Sequence, residues 1–176
     1  MNIEMKKIKL LISDVDGVWT DGTFLKGTDG MEFKRFTVLD GVGTAMARAV
    51  GLRIALISGR YSLATEYRAK ELKIEDVYNG GLNKIHAYKE LKAKYNLDDS
   101  EIAYIGDDLI DIPVMEKVAV PIAVENASSE VKAIAAYTTK ISGGKGAFRE
   151  AVAWIIEEKG ETEMVMQKMK EKVLNS

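Results

Sequence analysis

Asp14, Asp16 and Gly17 follow an apolar run in LLISDVDG. Three more polar clusters follow apolar runs further along: Ser58-Gly59-Arg60, Gly80-Gly81-Leu82-Asn83-Lys84 and Gly106-Asp107-Asp108-Leu109-Ile110-Asp111. Carboxylates gathered at one rim repel one another unless a cation neutralises them, so the pattern requires a bound metal. The chain has no cysteine and a single histidine, His86, which leaves oxygen ligands and hence a hard cation. A few carboxylates with open water positions suit Mg²⁺ better than Ca²⁺. A cation beside a carboxylate, a hydroxyl and a lysine makes a site for a phosphate dianion. The metal and Lys84 neutralise it, while Ser58 and backbone amides hold its oxygens. Aspartate attack on phosphorus then needs a second acid to protonate the leaving alkoxide, and Asp14 and Asp16 provide that pair.

Each cluster taken alone has a plainer reading. Ser58-Gly59 suits a helix N-cap with a turn, Lys84 a solvated helix face, and Asp107 with Asp108 the cap of a helix beginning near Leu109. The joint pattern is what these readings do not supply.

The elements that must position these residues are legible as alternation. Ile8 to Ser13, Arg53 to Ile57, Ile102 to Ile105 and Val118 to Ile122 read as buried strands, with DVYN (76–79) a shorter one. Between them lie stripes of helical period: Val42, Ala45, Met46, Ala49 and Val50, closed by Gly51; Ile85, Tyr88 and Leu91; Phe148, Val152, Ile155 and Ile156. Strands apolar on both faces, each followed by a helix, imply a doubly wound, mostly parallel α/β sheet of Rossmann-like form. In such a sheet ligands collect outside the carboxyl ends of the strands, where all four clusters fall. One segment interrupts the alternation: residues 19–37 hold the turn signal GTDG between β-prone flanks TFLK and EFKRF, which predicts an inserted β-hairpin after the first strand. Residues 1–160 read as one domain. Residues 161–176, with Val165, Met169 and Val173 at fourfold spacing, read as either an amphipathic helix or a tail.

Composition narrows the classes. With 25 Lys+Arg against 27 Asp+Glu the formal charge is −2, so no basic field argues for nucleic acid. The lysines of MNIEMKKIKLLIS precede an apolar run that meets Asp14 too early for a signal peptide, and VAVPIAV (118–124) is far shorter than the roughly 20 residues of a membrane span. The expectation is a cytoplasmic protein that binds neither nucleic acid nor membrane.

Taken in order, DVDGVWTDG, ISGR, GGLNK and GDDLIDIPVM resemble the four motifs of the haloacid dehalogenase-like (HAD-like) phosphatases over residues 10–120. With no large cap domain, the hairpin, and SGGKGAFREAV at 142–152, the chain is similar to the small members of that family that act on 3-deoxy-D-manno-octulosonate 8-phosphate. The resemblance implies Asp14 as nucleophile and Asp16 as general acid and base. It implies Mg²⁺ held by Asp14, the Asp16 backbone carbonyl and Asp107, phosphoryl binding by Ser58 (with Gly59) and Lys84, and support from Asp108 and Asp111. It also implies a homotetramer whose hairpins pack together and whose neighbouring subunits close the site. Trp19 stands where leucine is more usual, and the Met-rich tail departs from the family's glycine-containing tails.

A keto-sugar acid phosphate carries a carboxylate as well, so a further cation is expected: Arg60, Arg68 or Lys145 by position. A nine-carbon, sialic-acid-like 9-phosphate is an alternative substrate, and a catalytically silent oligomerisation module is the alternative role. A receiver domain places its acceptor Asp after the third strand, which the motif order here disfavours, and Met46 stands where a dinucleotide fingerprint at 41–43 needs its third glycine.

Overall fold

The computed structural model describes residues 4–175. In chain order β1 (Leu10–Ser13) leads to a hairpin of β2 (Leu25–Lys26) and β3 (Glu32–Phe33). There follow α1 (Val38–Ala49), β4 (Arg53–Ser58), α2 (Leu63–Glu71), β5 (Asp76–Asn79), α3 (Lys84–Tyr95), β6 (Ile102–Gly106), α4 (Ile112–Met115), β7 (Val120–Ala123), α5 (Ser129–Ile134), β8 (Tyr137–Thr138), α6 (Ala147–Lys159) and α7 (Thr162–Leu174).

Six strands form one parallel sheet in the order β5-β4-β1-β6-β7-β8. The chain winds outward from β1 through β4 and β5, then returns to β6 on the other side, so the order reverses beside β1. That reversal opens a crevice at the carboxyl ends of β1, β4 and β6. Register aligns those ends, with Ser13 opposite both Leu56 and Ile105. Every residue of β1 and β6 is buried, as a strand covered by helices on both faces requires. Among the described residues no helix is long and apolar enough to cross a membrane.

The differences from the sequence expectations have local causes. Ile8 closes a short 3₁₀ turn by donating to the Met5 carbonyl at 3.0 Å, so β1 starts at Leu10. Val118 donates back to the Val114 carbonyl and β7 starts at Val120. The hairpin forms, but its ladder holds only Leu25 opposite Phe33 and Lys26 opposite Glu32. Residues 162–174 are helical and Val165 is buried, while Val173 is exposed. The Lys168 ammonium donates to the Ala49 carbonyl at 2.8 Å, tying α7 to the end of α1.

Helix α1 corrects a larger expectation. It fully buries Asp40, Gly43, Thr44 and Ala47, while of the stripe Met46 and Val50 pack half-buried on the core and Val42 is exposed. The reason is the close approach of α6: a Cβ on Gly43 would lie 2.8 Å from the Arg149 Cα. Small residues let the helices meet nearly backbone to backbone, which a count of apolar side chains does not register.

Asp40 is the unusual member of that face. Its Oδ1 accepts from the Arg149 amide at 3.1 Å, while its buried Oδ2 has no hydrogen-bond partner. Burial pushes the carboxyl up to about 6, against the pull of the Arg149 amide and of the Arg68 and Arg149 charges. A carboxyl raised on folding lends stability that is full below its unfolded value, near 4, and is lost as pH climbs through about 6. Asp40→Asn keeps an acceptor for the Arg149 amide and carries no charge. It should therefore exceed the native protein in stability by about 2 kcal/mol at about pH 8, with the gain vanishing near pH 4. Urea unfolding at both pH values measures this, and an equal gain at both would contradict it.

Candidate active site

The loop bearing Asp14 starts where β1 ends. The Val15 carbonyl accepts from the amides of Val18, Trp19 and Thr20, winding residues 15–20 into a tight turn just past Asp14. Trp19 pins that turn to the core. Its indole N–H donates to Ser13 Oγ at 2.9 Å and its ring lies 4.2 Å from that of Phe148 on α6, so a bulky residue is accommodated here without disturbing the loop. A second loop backs the turn from outside. Gly144 donates to the Val18 carbonyl at 3.0 Å, and a Cβ on Gly143 would lie 1.7 Å from the Gly17 carbonyl oxygen.

Four strand ends converge there. The Lys84 ammonium, its side chain 1% exposed, lies 2.9 Å from Asp14 Oδ1 and 2.6 Å from Asp111 Oδ1. Lys84 opens α3, whose Asn83 caps it by accepting from the Ile85 amide. Asp111 is fully buried and saturated: Oδ1 accepts from Lys84 and from the Tyr104 hydroxyl, Oδ2 from the amides of Asp107 and Asp108. With four donors on it, Asp111 orients Lys84 and the Asp107 loop and has little capacity left for a ligand. Ser58 is buried at the end of β4, donating its hydroxyl to the Arg60 carbonyl at 2.9 Å, beside Gly59. Asp108 is exposed and caps the short helical turn at Leu109–Asp111 by accepting from the Leu109 amide at 2.8 Å, so the capping reading holds for it.

These groups border a cleft of about 280 Å³ lined by Asp14, Asp16, Ser58, Gly59, Arg60 and Asp107, among others. Carboxylate oxygens of Asp14, Asp107 and Asp111 lie within 4.8 Å of one another. Burial, then the Asp111 charge, pushes Asp14 up to about 7 despite Lys84. Burial, then the charges of Asp14 and Asp111, pushes Asp107 up to about 8. For Lys84 burial works against the charge, but Asp14 and Asp111 outweigh it and hold the ammonium above its usual range. Three carboxylates thus face one ammonium, and the deficit of positive charge fits a divalent cation at Asp14 and Asp107.

The remaining expected residues divide. Arg60 lines the cleft but is engaged: Nη1 donates to Glu32 Oε1 at 3.0 Å, Nη2 pairs with Oε2, and the guanidinium lies 3.9 Å from the centre of the Phe24 ring. Arg68 is not brought to the cleft. It binds Glu71 at 2.8 Å and the Thr37 carbonyl at 3.0 Å, bracing α2 against the chain entering α1. Its place two turns along α2 carries it away from the strand ends. Asp16 lines the cleft without joining the Asp14–Asp107–Asp111 group, and its carboxyl pairs with Lys34, a residue that sequence reasoning did not single out. Lys34 lies just past the two-residue strand β3, with no buried apolar run to mark it.

Residues 54–148 match the family model described as haloacid dehalogenase-like hydrolase. The chain is 43% identical over 145 residues to the 3-deoxy-D-manno-octulosonate 8-phosphate phosphatase KdsC of Escherichia coli, covering 82% of this chain and 77% of that protein. Among solved structures, the 3-deoxy-D-manno-octulosonate 8-phosphate phosphatase of Yersinia pestis is 41% identical, with a TM-score of 0.87 over 90% of this chain and 86% of that one. The Moraxella catarrhalis phosphatase of that name, in complex with a magnesium ion, a phosphate ion and a KDO molecule, is 34% identical, with a TM-score of 0.89 over 94% and 95% of the two chains.

Proposed function

This chain belongs to the haloacid dehalogenase-like hydrolase family, and on that premise we propose that it is a Mg²⁺-dependent phosphoric monoester hydrolase cleaving 3-deoxy-D-manno-octulosonate 8-phosphate to the free sugar acid and phosphate. The observation that carries the reading is the buried Asp14–Lys84–Asp111 chain beside Asp107 at the mouth of a cleft, in a chain 43% identical to a phosphatase of that specificity.

In this reading Asp14 attacks phosphorus through a carboxylate oxygen while the bond from phosphorus to the sugar oxygen breaks, and Asp16 gives its proton to that oxygen. Asp16 then takes a proton from water as the water oxygen attacks the aspartyl-phosphate, releasing phosphate and restoring Asp14. Lys84, oriented by Asp111, sets its charge against the phosphoryl oxygens, and the Ser58 hydroxyl with the Gly59 amide holds them. Asp14, the Asp16 carbonyl and Asp107 would hold the cation, which when bound adds neutralising charge at the phosphoryl group. Arg60, with Glu32 already on its guanidinium, serves substrate by fixing the cleft wall. The catalytic domain spans residues 1–160 with α7 appended. The enzyme is a cytoplasmic homotetramer, a reading supported by the apolar side chains that the hairpin exposes: Phe24, Leu25, Met31 and Phe33.

Phosphate release from a panel of sugar phosphates, with Mg²⁺ and with chelator, tests the substrate. Mg²⁺-dependent release confined to the eight-carbon keto-sugar acid is expected. Equal release from a nine-carbon 9-phosphate would discard the specificity, and no release from any ester would discard the activity.

A further inference from the structure

Lys34 is a buried cation whose partner is Asp16. Its side chain is 0% exposed, and its ammonium lies 2.6 Å from Asp16 Oδ1 and 2.9 Å from Oδ2. Only the Oδ2 contact has hydrogen-bond geometry. Buried Oδ1 lies against the charge without accepting a hydrogen bond, while the Asp16 side chain as a whole stays 28% exposed and lines the cleft. The ammonium also lies 3.4 Å from the Thr65 hydroxyl on α2, so Lys34 is held from both sides.

A buried ammonium is costly and persists where its geometry is fixed by partners. Here it is fixed by the hairpin. Glu32, two residues earlier, holds Arg60 of the β4 loop, and Arg35, one residue later, lies 2.5 Å from Asp21 at the end of the nucleophile loop. Three neighbouring residues of one arm therefore reach three separate places around the cleft.

We propose that Lys34 is the positioning residue for Asp16, holding its carboxyl in the one orientation from which it reaches both the leaving-group oxygen and the attacking water. The inference rests on the reading of Asp16 as general acid and base given above. A positioned group of this kind contributes typically 10²–10⁴-fold, and an acid or base displaced by a rotamer change loses most of it.

The two half-reactions separate this role from a structural one. An alkyl phosphate needs Asp16 as acid to leave and as base for the water step, whereas 4-nitrophenyl phosphate leaves as a stabilised phenolate and needs Asp16 only as base. Lys34→Met should lower kcat on the sugar phosphate about 100-fold with KM within about twofold. With 4-nitrophenyl phosphate it should release about one equivalent of nitrophenolate per site in a burst before slow turnover, because phosphorylation of Asp14 outruns its hydrolysis. Lys34→Arg should recover part of the loss and shrink the burst, and in an Asp16→Asn background Lys34→Met should add little. Proportional losses on both esters without a burst, in a variant with native melting temperature and circular dichroism, would overturn the role of Lys34. Native protein that hydrolyses neither ester would overturn the phosphatase reading and this role with it.

Discussion

Asp14→Asn is expected to lower phosphate release by about 10⁴-fold or more while leaving the fold intact. An amide is nearly the size of a carboxylic acid and can still accept from the Val15 amide, which donates to Asp14 Oδ1 at 2.6 Å. What it lacks is the anionic oxygen that would form a bond to phosphorus, and no neighbouring group replaces that oxygen: Asp107 would hold the cation and Asp111 is saturated by four donors. Native enzyme denatured during turnover should carry phosphate on Asp14, detectable as an acid-stable, base-labile mass increment, and the variant should carry none. Residual activity within about tenfold of native would mean that the nucleophile lies elsewhere. Since burial and the Asp111 charge oppose ionisation of Asp14, the variant should also match or exceed the metal-free native protein in melting temperature.

Lys84→Met should cost about 3–5 kcal/mol of stability along with activity, because it leaves Asp14 and Asp111 buried without their shared counter-ion. The loss has a pH signature. Burial and mutual repulsion already raise Asp14 to about 7 and Asp107 to about 8, and removing the ammonium that lowers both takes them higher. Acids raised on folding contribute stability that is full below their unfolded value, near 4, and is lost as pH rises through their folded values. The deficit of the variant should therefore be small near pH 4, grow through neutrality and be largest above about pH 8. Urea unfolding across that range reads it, and a deficit independent of pH would show that Lys84 acts by packing alone. Added Mg²⁺ should narrow the gap, since a cation replaces part of the missing charge.

The convergence of the candidate site residues was more legible in the chain than the packing. Asp14 and Asp107 stand just past buried strands and Ser58 closes one, and parallel register brings those ends together whatever the loops do. Lys84 was legible for the same reason, after β5. Arg68 was misjudged because position along a helix does not tell which neighbour captures a long cation, and the Thr37 carbonyl and Glu71 lie closer than the cleft. Lys34 escaped notice because its burial comes from the folding back of the hairpin onto α2, a long-range event without a local pattern. The α1 stripe was misplaced for a related cause: Gly43 and Thr44 carry little hydrophobic signal, yet they are what permits α6 to approach. Strand β8 spans two residues, and the apolar run before it is largely taken up by α5.

The loop at Gly143 and Gly144 rests its backbone directly on that of residues 17–21. This joins the first functional turn of the polypeptide to one more than 120 positions later. During synthesis the early strands emerge first, and the central strand pairs as soon as β4 and β6 are available. The turn bearing Asp14 nevertheless stays without its backing until residue 144 has been delivered, and Trp19 without its ring partner until Phe148 follows. The support of that turn therefore arrives only after residues 144 and 148, so a product terminated before them would hold every acidic residue of the site without the backing that shapes the turn beside Asp14.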